Sequence, residues 1–306
     1  TRYSLDTLVA PYGLAFQPGT DTLYVSARTT PTDGGALWRI LPDGRGEIII
    51  DDLPCCFDMV GNQANGLIFG PDGYLYLGLG ALTDKLEPPF PERMRYAEID
   101  PLEASILRIQ PHTGAVEVYA RGLHNPIDIA FDSSGQFYAT DSGLLDGLGD
   151  RLLRISAAMH YGWPYYRPRG CSDCPPTDFS ITITPDLLAL PDYTLPRGLT
   201  VYTGSQFPRE VFDSLFVALW NGIDGAQRII RLDPRSVPTD PDALAEFTPE
   251  PFMTGLIRPI DVIVDPDGAL LVADFVYGHV WRVVYTGDIT APTPAPLAFA
   301  TNTPAP

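Results

Sequence analysis

Histidine is scarce in this chain. There are four in 306 residues, none at HxxxH or HxH spacing, which argues against a zinc centre built on imidazoles. Cysteine is equally scarce: Cys55-Cys56 and the pair Cys171 and Cys174. The CxxC spacing lacks the βαβ surroundings of a redox motif, and adjacent cysteines suit tetrahedral metal spacing poorly. Structural disulfides in an oxidising compartment are the preferred reading over a four-thiolate zinc site, with the pairing left open. Positive charge is also short, with 20 basic side chains against 38 acidic and a net charge of −18. Such a surface repels phosphate backbones and anionic lipid, so nucleic acid is not an expected partner. No apolar run reaches the length that spans a bilayer, so no membrane insertion of this segment is expected. A glycine-rich phosphate loop and a G-x-S-x-G elbow are missing too. Nucleotide-dependent catalysis and serine hydrolysis therefore have no support.

Turn formers, by contrast, are abundant. The chain has 28 Gly and 32 Pro, together with 15 Tyr, 14 Phe, 4 Trp and 45% hydrophobic residues. That is enough apolar material for a core, broken too often for long helices. One phrase recurs: an apolar strand, a turn rich in Asp and Gly, then a second apolar strand. It starts at Pro11 (Pro-Tyr-Gly-Leu-Ala-Phe), Asn65 (Asn-Gly-Leu-Ile-Phe-Gly-Pro-Asp-Gly), Pro126 (Pro-Ile-Asp-Ile-Ala-Phe) and Pro259 (Pro-Ile-Asp-Val-Ile-Val-Asp-Pro-Asp-Gly), with a looser copy from Gly198. Pro presets φ, Asp bonds its own backbone and Gly accepts positive φ, so the two strands join tightly. Third strands follow with an Arg-Ile or Arg-Val ending, as in Leu37-Trp-Arg-Ile and Val280-Trp-Arg-Val.

Repeated antiparallel units of this kind predict an all-β protein, a β-propeller of six blades with five legible repeats. The sixth blade is expected in residues 151–197, or completed by the strand at Tyr3–Val9. Short helical turns are expected near Pro91–Tyr96 and Asp240–Ala245. Residues 1–288 form the propeller in this reading, and 289–306, rich in Thr, Pro and Ala, form an extended linker or tail. A spacer of that composition suits an extracellular or periplasmic domain tethered to a cell surface.

Three stretches in order carry a family resemblance. Ala120-Arg-Gly-Leu-His-Asn-Pro-Ile-Asp-Ile-Ala-Phe is followed by the acidic, glycine-rich Asp141–Asp150, then by Tyr161-Gly-Trp-Pro. Gly198-Leu-Thr-Val-Tyr-Thr-Gly-Ser-Gln-Phe-Pro and Arg258-Pro-Ile-Asp-Val continue the series. Together they resemble the soluble quinoprotein sugar dehydrogenases, the glucose/sorbosone dehydrogenase family. The resemblance implies pyrroloquinoline quinone over an axial funnel, with Ca2+ bound partly by backbone carbonyls and a histidine base. On this chain it places cofactor contacts at Asn62, Asn65, His124, Asn125 and Arg258, and metal contacts at Gly143, Leu144, Asp141 and Asp150.

Several positions depart from the family pattern. The run expected to hold the base reads Gly61-Asn-Gln-Ala-Asn-Gly66, with no proton acceptor. His124 stands where the family has an arginine, Ile260 where the glucose enzymes have a second arginine, and Trp220-Asn221 where a lysine is expected. His124 is the candidate to replace the base, with an acidic group or a bound water as alternatives. His160 reads as a turn cap, and Tyr161 and Trp163 as packing between blades. Three functions stay open. The first is an oxidoreductase acting on a small-molecule sugar through an altered site. The second is a non-catalytic propeller binding another extracellular protein. The third is a calcium-dependent lactonase-type site from Asp58, Asn65, Asn125 and Asp261.

Overall fold

The computed structural model describes residues 8–30, 34–54, 63–82, 99–144, 147–168, 170, 174, 180–221, 227–276 and 278–288. Five antiparallel sheets account for nearly all of the regular structure, and they are the blades of a β-propeller. The first blade is β1 (Leu14–Phe16), β2 (Leu23–Arg28), β3 (Gly35–Ile40) and β4 (Gly46–Leu53); the second is β5 (Ala64–Phe69), β6 (Leu75–Leu79), β7 (Ser105–Ile109) and β8 (Val116–Arg121). The third is β9 (Pro126–Phe131), β10 (Phe137–Asp141), β11 (Arg151–Ile155) and β12 (Leu188–Ala189). The fourth is β13 (Pro196–Val201), β14 (Leu215–Leu219), β15 (Arg228–Leu232) and β16 (Glu250–Met253); the fifth has three strands, β17 (Pro259–Val264), β18 (Leu270–Asp274) and β19 (His279–Val283). Each of the five legible repeats supplies the first two strands of one blade.

The turns work much as their composition predicts, with one refinement. Gly73, Gly135 and Gly268 all take positive φ, the left-handed conformation the tight turn demands. In the third and fifth blades the carboxylate that accepts the turn N–H groups is the residue opening the turn. Asp132 accepts from Ser134 and Gln136, and Asp265 from Asp267 and Ala269. In the second blade that position is Gly70, and Asp72 of Pro-Asp-Gly accepts from Tyr74 instead. The recurrent third-strand arginine ties strands together: Arg39 pairs with Glu47, Arg108 with Asp72 and Glu117, Arg231 with Glu250, and Arg282 with Asp265. These pairs are half-exposed, so each contributes under about 1 kcal/mol.

Burial grades from strand to strand. β2, β6, β10 and β14 are buried along their whole length, whereas β4 and β8 are mostly exposed or half-buried. Alternate residues of a second strand therefore serve two different packing faces. In β14, Leu215, Val217 and Leu219 join Leu199, Ile230 and Leu152 in one cluster. Phe216 and Ala218 point to the other cluster, with Tyr202, Val262 and Val272.

Contacts divide the chain into two compact units. The first holds the described residues up to Asp128 and Ser156–Thr184; the second holds Ile129–Ile155 and the described residues from Pro185 onward. Within the first, the Ser26 hydroxyl donates to the Asn65 carbonyl at 2.6 Å and accepts from the Gly13 N–H. Within the second, a Cβ on Gly198 would lie 2.4 Å from Asp261 Oδ1 and 2.5 Å from its Cα. Backbone cannot yield as a flexible side chain does, so Gly198→Ala is expected to destabilise by about 1–3 kcal/mol. A urea midpoint unchanged from the parent would show that the strands can part.

One placement of the sixth blade differs from expectation: among the described residues of 151–197 no separate sheet forms. That segment supplies β11 and β12 of the third blade, with a long excursion between them. The excursion lies along β8: Ala158 and Tyr161 donate to the Tyr119 and Arg121 carbonyls, Arg121 donates to Met159, and His160 bridges Arg121 in parallel. Val9 makes an isolated antiparallel bridge to Arg28, while Tyr3–Thr7 lie outside the described residues. The helix near Asp240–Ala245 is present as α1 (Pro241–Glu246), where Asp240 caps the Ala243 N–H and Pro241 opens the first turn. The segments 91–96 and 289–306 lie outside the described residues. No helix among those residues is long and apolar enough to cross a membrane.

Candidate functional site

In the first unit, the second residue of β5 is a fully buried asparagine. Asn65 Nδ2 donates to Asn125 Oδ1 at 2.8 Å and to the Pro126 carbonyl at 2.9 Å. The carbonyl accepts only from N–H, which fixes the amide orientation and turns Oδ1 away from both partners. That Oδ1 is buried and receives no hydrogen bond from the described residues. A buried acceptor left without a donor costs about 1–3 kcal/mol, so the site is built at a cost in stability. Asn125 and His124 are themselves buried, at 4% and 5% exposure. Strand β9 begins at the next residue, and the His124 carbonyl accepts from the Ala81 N–H, which fixes the backbone. The His124 ring lies 6.2 Å from Trp163, carried in on the excursion that runs along β8. Also in the first unit, Arg28 Nε at the end of β2 donates to Gln63 Oε1, with both residues buried.

The acidic loop of the second unit is organised by its own carboxylates. Asp150 is fully buried; its Oδ1 accepts from Gly143 N–H at 2.8 Å, and its Oδ2 from Leu195 N–H at 2.8 Å and the Thr194 hydroxyl at 3.2 Å. Burial pushes the Asp150 carboxyl above the ordinary aspartate range, while these donors pull it back. Asp141 is clasped by Arg151, whose Nε and second guanidinium nitrogen stand 2.9 and 2.8 Å from Oδ2. Arg151 also pairs with Asp186 at 2.9 Å. The Leu144 carbonyl accepts from Gly147 N–H, closing a turn.

Sequence-predicted positions thus fall into separate groups. Asn65, His124 and Asn125 come together in the first unit. Gly143, Leu144, Asp141 and Asp150 share one loop in the second. Arg258 precedes β17 and donates to Asn221 Oδ1 at 2.7 Å and to the Trp220 carbonyl. Asn62 and Asp58 lie outside the described residues. His160 Nδ1 accepts from Gly162 N–H at 3.1 Å, a turn-capping contact. Cys174 is disulfide-bonded, and the other three cysteines lie outside the described residues.

The chemistry of the donor set decides what these groups can hold. Calcium takes six to eight oxygens. The carboxylates of Asp141 and Asp150 are committed to an arginine and to N–H donors, so the loop as arranged does not fit a calcium held by those side chains. Among the described residues no three His, Cys, Asp or Glu converge on a metal position. A planar, carboxylated quinone asks instead for amide and guanidinium contacts. Within the first unit Asn65 and Asn125 retain the amides, and the Asn65 Oδ1 offers an acceptor to an N–H or O–H.

Sequence reading missed Arg28 and Gln63. The signal was an arginine closing β2, a strand buried along its whole length, where a charged side chain needs a partner. Ser26 was missed for the same reason.

The fold has many likenesses among solved structures. The aldose sugar dehydrogenase of Streptomyces coelicolor, solved with its quinone, superimposes with a TM-score of 0.62 at 20% identity, covering 92% of this chain and 82% of that one. The soluble aldose sugar dehydrogenase of Escherichia coli gives a TM-score of 0.62 at 17% identity over 89% of this chain and 83% of the other. An uncharacterized protein of Borreliella burgdorferi is 28% identical over 207 residues, 60% of this chain and 52% of its own length. This chain therefore spans about half of that relative. The model of the glucose/sorbosone dehydrogenases matches residues 57–275, from before the buried asparagine to beyond Arg258. The chain belongs to the glucose/sorbosone dehydrogenase family.

Proposed function

We propose that the protein is a sugar oxidoreductase of the aldose or sorbosone type that works with pyrroloquinoline quinone through an altered site. The observation that carries this reading is the Asn65 side chain. It is wholly buried, fixed by Asn125 and Pro126, and has an acceptor with no donor among the described residues, in the segment where the family resemblance puts cofactor contacts. When bound, the quinone supplies the two-electron acceptor that no side chain can provide. Asn65 and Asn125 hold and orient, and His124 takes the proton of the sugar hydroxyl. Gly143 and Leu144 remain the backbone positions for Ca2+, in a role that leaves the Asp141 and Asp150 carboxylates with their present donors. The Cys174 disulfide and the Thr/Pro-rich segment 289–306 support an extracellular or periplasmic setting, tethered through that segment.

Reconstitution tests the reading. The purified protein is titrated calorimetrically with the quinone and calcium, then assayed for dye reduction across a panel of aldoses. Micromolar or tighter binding with turnover is the expected result. Absence of binding at micromolar cofactor would overturn the reading and leave a non-catalytic propeller.

A further inference from the structure

From the fifth blade we infer a docking surface for a second copy of this chain, related to the first by a two-fold axis. Among the described residues this blade is uncovered in two ways that its neighbours are not. Each of the other four sheets closes on a fourth strand, whereas this one ends at β19. The second strands β2, β6, β10 and β14 are buried along their whole length, so both of their faces are packed. Strand β18 alternates instead: Leu270, Val272 and Asp274 are buried, while Leu271 and Ala273 are half-buried. One face packs with Tyr202 and Phe216 of the fourth blade region, and the other is open.

Strand register shows what the open face carries. Ile263 lies opposite Leu271, Leu271 opposite Arg282, and Ala273 opposite Val280, and residues directly opposite share a face. Val280, at 68%, is the most exposed large apolar side chain among the described residues, and Ile263 is exposed beside it on the same sheet. Trp281, Val284 and Tyr285 carry the exposed apolar surface along the edge. The sequence of β19 is that of a covered strand. Val280-Trp-Arg-Val repeats the Leu37-Trp-Arg-Ile of β3, and the third strands β3, β7 and β15 are mostly buried. β19 is exposed at four of its five residues. It also has none of the devices that keep an edge from pairing, neither a proline nor a shift of register against β18. Apolar surface of this kind favours association in proportion to the area removed from water.

Charge selects the partner. In a chain of net charge −18, two copies repel wherever their acidic surfaces meet. The fourth strands of the first, second and fourth blades expose Glu47, Glu117 and Glu250. Residues 275–287 hold no aspartate or glutamate, and their only lysine or arginine is Arg282. Arg282 pairs with Asp265 at 2.9 Å and stands 3.4 Å from the exposed Asp267. Both signs therefore border the apolar patch, and a two-fold contact lets the cation of each copy face the acids of the other. A patch that is its own complement closes as a dimer.

The test is sedimentation velocity on the full chain without cofactor, from low micromolar to submillimolar protein. A concentration-dependent dimer is expected. Val280→Lys puts a charge into the patch and should weaken association by about tenfold or more. Because Val280 is exposed in the single chain, the urea midpoint of that variant should stay near the parent's. Leu14→Lys, at an exposed apolar residue of the first blade, should leave association unchanged. A parent that is monomeric at every concentration overturns the inference without any variant. Comparing acrylamide quenching of the parent with Trp281→Phe then shows whether other residues of this chain cover the patch. A dimer indifferent to Val280→Lys overturns it by placing the contact elsewhere. Association broken equally by Leu14→Lys overturns it by making the contact head-to-tail with the first blade. No turnover is read, so the result is independent of the oxidoreductase reading.

Discussion

Arg151→Met is expected to destabilise the protein by about 3–5 kcal/mol, the largest loss of stability expected from any single substitution described. The guanidinium is 3% exposed and lies between Asp141 at 1% and Asp186 at 9%. Methionine fills most of the volume, so the cost is electrostatic and not a cavity: two carboxylates stay buried without their cation. Urea unfolding at pH 7 checks this, and a midpoint unchanged from the parent would mean that Asp141 and Asp186 find other donors. The triple replacement Arg151→Met, Asp141→Leu, Asp186→Leu should recover much of the stability, because burying apolar groups of similar volume avoids the desolvation of charge altogether.

Asp141 also shows what a sequence conveys about a site and what it conceals. The blades were legible because their signals are local: Pro-Asp-Gly and Asp-Ser-Ser-Gly turns, alternating strands and glycines at positive φ all act within a few residues. The helix at Pro241–Glu246 was legible for the same reason, through Asp240 and Pro241. The path of residues 156–184 was not. It is held by N–H groups donating to β8 carbonyls some 40 residues earlier, and backbone hydrogen bonds leave no mark on side-chain identity. The acidic loop was read as a cation ligand set because its composition suits one. Which partner a buried carboxylate takes depends on what folding delivers to it, and here it delivers Arg151 to Asp141 and the Gly143 and Leu195 N–H groups to Asp150. Trp220 was noticed as a replaced lysine, but its two guanidiniums come from Arg197 in β13 and from Arg258 just before β17, 23 and 38 residues away.

His124→Asn is expected to reduce sugar turnover in the reconstituted enzyme by about 10²–10⁴-fold, the usual worth of a positioned general base. Asparagine keeps a polar side chain of similar reach, so the position of the backbone carbonyl that accepts from Ala81 should hold. What it removes is the capacity to accept a proton. The geometry makes His124 the natural candidate on its side of the molecule. Asn125 beside it and Asn65, which bonds Asn125, cannot act as bases; the buried Glu103, which accepts from the Leu82 N–H next to Ala81, is the carboxylate alternative. The decisive contrast is between two readouts. Cofactor affinity measured by calorimetry should change less than threefold, because Asn65 and Asn125 keep their mutual hydrogen bond, while turnover collapses. Asn65→Ala should give the complementary pattern, weakening cofactor binding first, since it deletes the buried acceptor and the contact that orients Asn125. A His124→Asn enzyme that turns over within threefold of the parent would move the base elsewhere, to a carboxylate or a bound water. One that loses cofactor and turnover together would make His124 a binding residue, heir to the arginine it replaces.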